Sequence, residues 1–154
     1  MSNLSLAILI ASKSHLNQLD KGGHTYILHP IRIMMRLRTT DEELMSMAIM
    51  HDSVEDGTIT FDEMRQRGFS ERVIAGLRLL THQKGVSYEE YIDNMRGNID
   101  ALRVKREDLK DNSDITRLKG VSEKDVKRMI KYQNAFLKVE QYIKEYYEAN
   151  KPLN

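Results

Sequence analysis

The stretch Thr40-Asp41-Glu42-Glu43-Leu44-Met45-Ser46-Met47-Ala48-Ile49-Met50-His51-Asp52-Ser53-Val54-Glu55-Asp56-Gly57 decides how this chain folds. Thr40 or Asp41 caps a helix, and Glu42 and Glu43 in its first turn suit the positive end of the helix dipole. Leu44, Met47, Ala48 and Met50 then fall at helical spacing, and the helix is expected to end near His51–Val54, before Asp56-Gly57. Because Met47–Met50 is wholly apolar, His51 and Asp52 emerge from a buried segment, where polar groups need partners. Continued as a helix, the segment sets His51 over Glu55 and Asp52 over Asp56. Three carboxylates and an imidazole in two turns repel one another unless a cation or a solvated cleft accepts them. The alternative is a solvated acidic helix end.

The same periodicity runs outward in both directions. A first helix is expected from about Leu4 to Leu19, with Leu4, Ile8, Ala11 and His15 on one stripe and Leu9, Leu16 and Leu19 beside it. Lys21-Gly22-Gly23-His24 breaks it. Pro30 opens the next helix, to about Leu37, with Ile33, Met34 and Leu37 inward. Thr60–Arg67 and Ser70–Thr81 read as short helices, as does Ser87–Met95 with Ser87 and Glu90 as a capping box. A longer segment, Ile99–Leu118, turns Ala101, Leu102, Leu109 and Ile115 inward. The last, Ser122–Tyr147, carries Val126, Met129, Ile130, Phe136, Leu137, Val139 and Ile143. The expected fold is an all-α bundle of about eight helices in one domain, residues 1–154.

Composition narrows the function. The chain has no cysteine, which excludes a thiolate nucleophile and any Cys-ligated metal, and suits a cytoplasmic location. A net charge of +1 with interspersed signs leaves no footprint for nucleic acid. No run is apolar for long enough to span a bilayer, and Leu6–Ile10 lacks the basic flank of a signal peptide. The nine methionines sit at helical spacing and read as core filling, and the Lys/Glu alternation of 131–151 as an exposed face.

Three ordered segments carry the chemistry. They are His15-x-x-Gln18-x-Asp20-Lys21-Gly22-Gly23-His24-Thr25-Tyr26-Ile27-Leu28-His29-Pro30, His51-Asp52-Ser53-Val54-Glu55-Asp56 and Val104–Asn112. They resemble, in order, the H-x-G-Q…K-x-G-x-P-Y-x-x-H-P, H-D-x-x-E-D and V-K-x-A-D-x-x-x-N signatures of HD-superfamily phosphohydrolases. The likeness is narrowest to the (p)ppGpp hydrolase domains of RelA/SpoT-type proteins and their small single-domain relatives. The resemblance implies an HD-domain helical bundle with a metal held by His29, His51, Asp52 and Asp108. Two imidazoles and two carboxylates suit Mn²⁺, or alternatively Fe²⁺ or Co²⁺, better than softer metals. It further implies Glu55 and Asp56 as the catalytic carboxylates that orient water and move its proton. Substrate contacts would fall to Lys21, Asn112, Tyr26 and Lys105, although Lys105 also reads as a surface residue.

The implied activity is removal of the 3′-pyrophosphate from a guanosine alarmone, a small-molecule nucleotide, by water. Departures bear on the substrate. Asp20 stands where relatives carry an arginine that helps to hold the purine, so another nucleotide substrate, or a non-catalytic HD binding module, remains an alternative. If a purine-holding arginine comes from elsewhere, Arg32, Arg36 and Arg103 are the candidates. Asn17, Thr25, Ser53 and Arg106-Glu107 also depart from the pattern without removing a ligand. His15 reads as a packed, hydrogen-bonded histidine, and His24 and His82 as surface or loop residues.

Overall fold

A computed structural model describes residues 3–152. Among these residues eight α-helices are ordered α1 Leu4–Ser14, α2 Leu28–Arg36, α3 Glu42–Met50, α4 Phe61–Gln66, α5 Glu71–Leu80, α6 Tyr88–Asp93, α7 Ile99–Asn112 and α8 Glu123–Ala149. The all-α expectation holds, and no strand occurs among the described residues.

The helix starts follow local chemistry. The Asp41 carboxylate accepts from the Glu43 and Leu44 N–H groups, Ser70 from Val73, Ser87 from Glu90 and Asn98 from Ala101. Thr60 with Glu63, and Ser122 with Asp125, form reciprocal capping boxes. α3 is the central helix: Leu44, Ser46, Met47, Ala48, Ile49 and Met50 are all buried, and it packs on α1, α2, α5 and α7. A helix enclosed on most sides must be apolar nearly all round, which is why Met47–Met50 carries no polar side chain.

Several boundaries differ from expectation for stated reasons. α1 stops at Ser14, because Asn17 takes a left-handed φ of 63° and the chain turns into a loop. That loop folds back on itself through a Leu19–Thr25 bridge, with Asp20 N–H donating to His24 O (2.8 Å) and Tyr26 N–H to Gln18 O (2.9 Å). α1 buries Ala7, Ile10 and Ala11, leaving Leu9, Leu16 and Leu19 exposed. α7 stops at Asn112, where Asp114 caps a separate 3-10 turn, Ile115–Arg117, by accepting from Thr116 N–H. Ile115 is exposed there rather than inward. On α8 the buried face is Ala135, Val139, Tyr142 and Ile143, while Val126, Ile130 and Leu137 are exposed. Residues 51–57 form successive turns rather than more of α3.

α3 and α5 cross closely at Gly76, where an added Cβ would strike the Met47 side chain. Gly76→Ala should therefore lower stability by about 1–3 kcal/mol through overpacking. Urea denaturation measures this, and an unchanged or raised midpoint contradicts the close packing.

Candidate metal centre

The centre sits where α2, the end of α3 and α7 meet. His29 in the first turn of α2, His51 at the end of α3 and Asp108 on α7 are all buried. Each offers one ligand atom, and the three atoms lie within 4.8 Å of one another. Asp108 Oδ1 stands 3.1 Å from His29 Nε2 and 3.6 Å from His51 Nε2. Asp52 borders this group, its Oδ2 3.1 Å from His51 Nε2 and 3.9 Å from His29 Nε2. The four residues that the resemblance implied are thus brought together.

The hydrogen bonds behind the two imidazoles aim them. His51 Nδ1 lies 2.8 Å from the Ala48 carbonyl, which only accepts, so Nδ1 carries the proton and Nε2 has its lone pair free in the neutral ring. His29 Nδ1 lies 2.6 Å from Asp111 Oδ2, the carboxylate–histidine arrangement that supports metal-binding imidazoles. His51 Nε2 is buried and makes no hydrogen bond. An orphaned buried nitrogen facing two carboxylates fits a divalent cation.

The charges say the same. Burial alone would lower the pKa of both imidazoles, yet the facing carboxylates raise His29 and raise His51 well above the usual value. Burial would raise Asp108, but Lys105 and the two imidazoles hold it well below the ordinary range. Asp52, opposed by burial but paired with His51, is held below the usual carboxylate range. The cluster therefore collects positive charge, as protons or as a metal. A set of imidazole and carboxylate donors without thiolate suits a borderline or hard divalent ion.

Other candidates are sorted by the structure. Asn112 Nδ2 donates to Asp108 Oδ1 (2.8 Å), and the Tyr26 hydroxyl to Asp52 Oδ2 (2.6 Å). Lys105 is no surface residue: it is buried, donates to Asp108 Oδ2 (2.7 Å), and lies near the faces of Tyr88 and Tyr91. Asp56 N–H still donates to the Asp52 carbonyl (3.2 Å), one helical turn back, but the side chains of Glu55 and Asp56 take different partners. Glu55 Oε1 accepts the His82 N–H (2.5 Å) and lines a cavity with His51, Asp52 and Asp108, whereas Asp56 Oδ2 lies 3.2 Å from His15 Nδ1. His15 is packed and bonded to Gln18 as expected, and His24 is exposed.

Two cavities flank the cluster and share Tyr26, His29, Asn112 and Tyr132 as walls. One, of about 270 Å³, adds Glu55, His82, Lys105 and Lys131; the other, of about 360 Å³, adds Asp20, Lys21, Arg117 and Arg128.

Three residues escaped the sequence reading. Asp111 lies one turn after Asp108 on the same face of α7, a spacing that was available as a signal. It is 0% exposed and gathers His29, Arg32, Arg36 and Arg117. Arg117 falls in a stretch read as helix, and His82 in a loop with nothing local to mark it. Asp111→Asn should weaken binding of a divalent metal ion about 10–100-fold by loosening His29. Titration calorimetry checks this, and unchanged affinity with an intact fold refutes the supporting role.

The fold has a counterpart. A structure of a metazoan ortholog of SpoT, described as hydrolysing ppGpp and playing a role in starvation responses, superposes with a TM-score of 0.73 over 99% of this chain and 98% of its own, at 19% identity. In sequence the chain is 33% identical over 89 residues to a guanosine-3′,5′-bis(diphosphate) 3′-pyrophosphohydrolase of Aquifex aeolicus. It is 32% identical over 68 residues to the bifunctional (p)ppGpp synthase/hydrolase SpoT of Escherichia coli. These alignments take in 56% and 43% of this chain but only 13% and 10% of those much longer proteins. No family model matches the chain. In fold the chain matches that ortholog, and in sequence it is similar to part of the (p)ppGpp 3′-pyrophosphohydrolases.

Proposed function

We propose that residues 1–154 act as one metal-dependent nucleotide phosphohydrolase that removes the 3′-pyrophosphate from (p)ppGpp-like alarmones. The observation that carries this reading is the buried His29, His51 and Asp108 group, with imidazole Nε2 atoms turned inward beside two polar cavities. Asp52 completes the set as a fourth ligand. The preferred ion is Mn²⁺, which would polarise the phosphate and bring a water's pKa toward neutrality. With no cysteine, and no helix among the described residues long and apolar enough to cross a membrane, the reading places the protein in the cytoplasm.

The chain's own groups divide the remaining work. Lys105 and Asn112 fix the Asp108 carboxylate from two sides, and Tyr26 fixes Asp52. Burial, reinforced by the Asp52 carboxylate, pushes the Tyr26 hydroxyl far above its usual pKa, so it remains a donor. Water attacks the phosphorus bonded to the ribose 3′ oxygen; that P–O bond breaks, releasing pyrophosphate and leaving the 3′ hydroxyl after protonation. Glu55 takes the water's proton. One of its oxygens is engaged by the His82 N–H, and burial raises its pKa, which makes it a stronger base. Asp56 acts one step back, through its contact with His15. Lys131 on one side and Lys21 on the other offset phosphate charge, while Lys105, expected as a substrate contact, is committed to Asp108.

Purified protein with Mn²⁺ should convert ppGpp to GDP and pyrophosphate, and Asp52→Ala should abolish release. If Mn²⁺ binds and no pyrophosphate appears, the alarmone reading fails and a panel of other nucleotides takes its place. Glu55→Gln should lower kcat about 10²–10⁴-fold. In the wild type the rate should fall as pH drops through the raised Glu55 pKa, since protonation removes the base. An acid limb that persists in Glu55→Gln assigns the base elsewhere.

A further inference from the structure

Arg117 is held in an unusual way for a cation on a cavity wall. Its Nη1 donates to Asp111 Oδ2 (2.7 Å) and to the Asp111 carbonyl (2.8 Å), and its Nη2 donates to Asp20 Oδ2 (2.7 Å). Asp20 is itself fixed, because its Oδ1 accepts the Gly22 and His24 N–H groups, both at 2.9 Å. Burial opposes its charge, yet these bonds and Arg117 hold the Asp20 carboxyl at about 2. The Lys21 loop and the 3-10 turn also meet at the backbone: a Cβ on Gly22 would collide with the Arg117 carbonyl. Arg32 and Arg36 both end on Asp111.

A guanidinium grips phosphate through its N–H edge, in a fork of parallel hydrogen bonds. Three of the five N–H groups of Arg117, two on Nη1 and one on Nη2, already serve Asp111 and Asp20, so its end-on fork is taken. Its flat face is free of these bonds, and guanidinium faces stack on planar rings, nucleobases included. The cavity agrees, since Leu19, Leu118 and Met129 supply apolar wall beside Arg117, as a base requires and a bare phosphate does not.

We propose that Arg117 is the nucleobase platform of this site, pinned edge-on by Asp20 and Asp111 so that its face stacks on the base. Asp20 is then the anchor of the platform and does not itself meet the ligand. The base occupies the Lys21–Arg117 cavity, and the wall shared with the second cavity brings the 3′ phosphates to the His29–Asp108 cluster. This rests on the nucleotide-hydrolase reading and names the residue that selects the base.

The test is calorimetric binding of GDP, inorganic pyrophosphate and Mn²⁺ to wild type, Arg117→Lys and Asp20→Asn. Lysine keeps the charge between the two carboxylates but has no plane. Arg117→Lys should lose roughly tenfold or more in GDP affinity, on the scale of one base stack, while Mn²⁺ and pyrophosphate bind as before. With ppGpp, KM should rise and kcat hold. Asp20→Asn, by freeing the Nη2 edge, should weaken GDP binding and strengthen pyrophosphate binding. Equal losses for GDP and pyrophosphate would make Arg117 a phosphate ligand and overturn the proposal, as would unchanged GDP binding in both variants. Arg117-dependent GDP binding without ppGpp turnover supports the platform and sinks only the alarmone reading.

Discussion

His29 is held from behind by a carboxylate that water does not reach. Asp111 accepts from its Nδ1 at 2.6 Å, and that one bond settles which ring nitrogen faces the cluster. A lone buried carboxylate is costly, and a single imidazole would not offset it. Arg32 and Arg36 from α2, and Arg117 from the 3-10 turn, supply the compensating charge, holding the Asp111 pKa far below the usual range against the effect of burial. The arginines remain partly exposed, while the acid they neutralise is fully enclosed.

From this node the rest of the site is placed. Arg117 carries the linkage on to Asp20, whose carboxylate also closes the Lys21 turn, so α2, α7 and the 15–27 loop share one network. On the opposite side of the cluster Lys105 plays the corresponding part. It is enclosed by Tyr88 and Tyr91 and spends its charge on Asp108 Oδ2, which leaves Oδ1 toward the imidazoles. Each ligand is thus oriented by a partner of its own, and such support is what keeps a metal site in working geometry.

The departures from the family pattern look different in this light. Asp20, read in sequence as a lost arginine, sits in a salt bridge with an arginine from 97 residues further along the chain. Ser53, in place of an apolar residue, is fully buried with an unbonded hydroxyl, and nothing in the structure explains it. Arg106-Glu107 is polar because Glu107 pairs with Arg106 and Lys110 along the flank of α7.

By itself the sequence determined the helices and the ligand residues. Caps at Asp41, Thr60, Ser70, Ser87 and Ser122, apolar spacing along α3, and the His29, His51-Asp52 and Asp108 motifs are local signals that act through neighbouring residues. Where helices ended was less legible, since Asn17 and Asp114 stop them by local hydrogen bonding and backbone geometry that periodicity does not register. Which side of α1 and α8 faced inward was also hidden, because each carries more apolar residues than its neighbours cover. Only the tertiary structure decided that Glu55 meets His82 while Asp56 meets His15, and that Asp111 and Arg117 join the site. Those contacts run between residues 27 to 97 positions apart, or depend on a turn that reverses the chain, and charge pairing at such range leaves no mark on the local pattern.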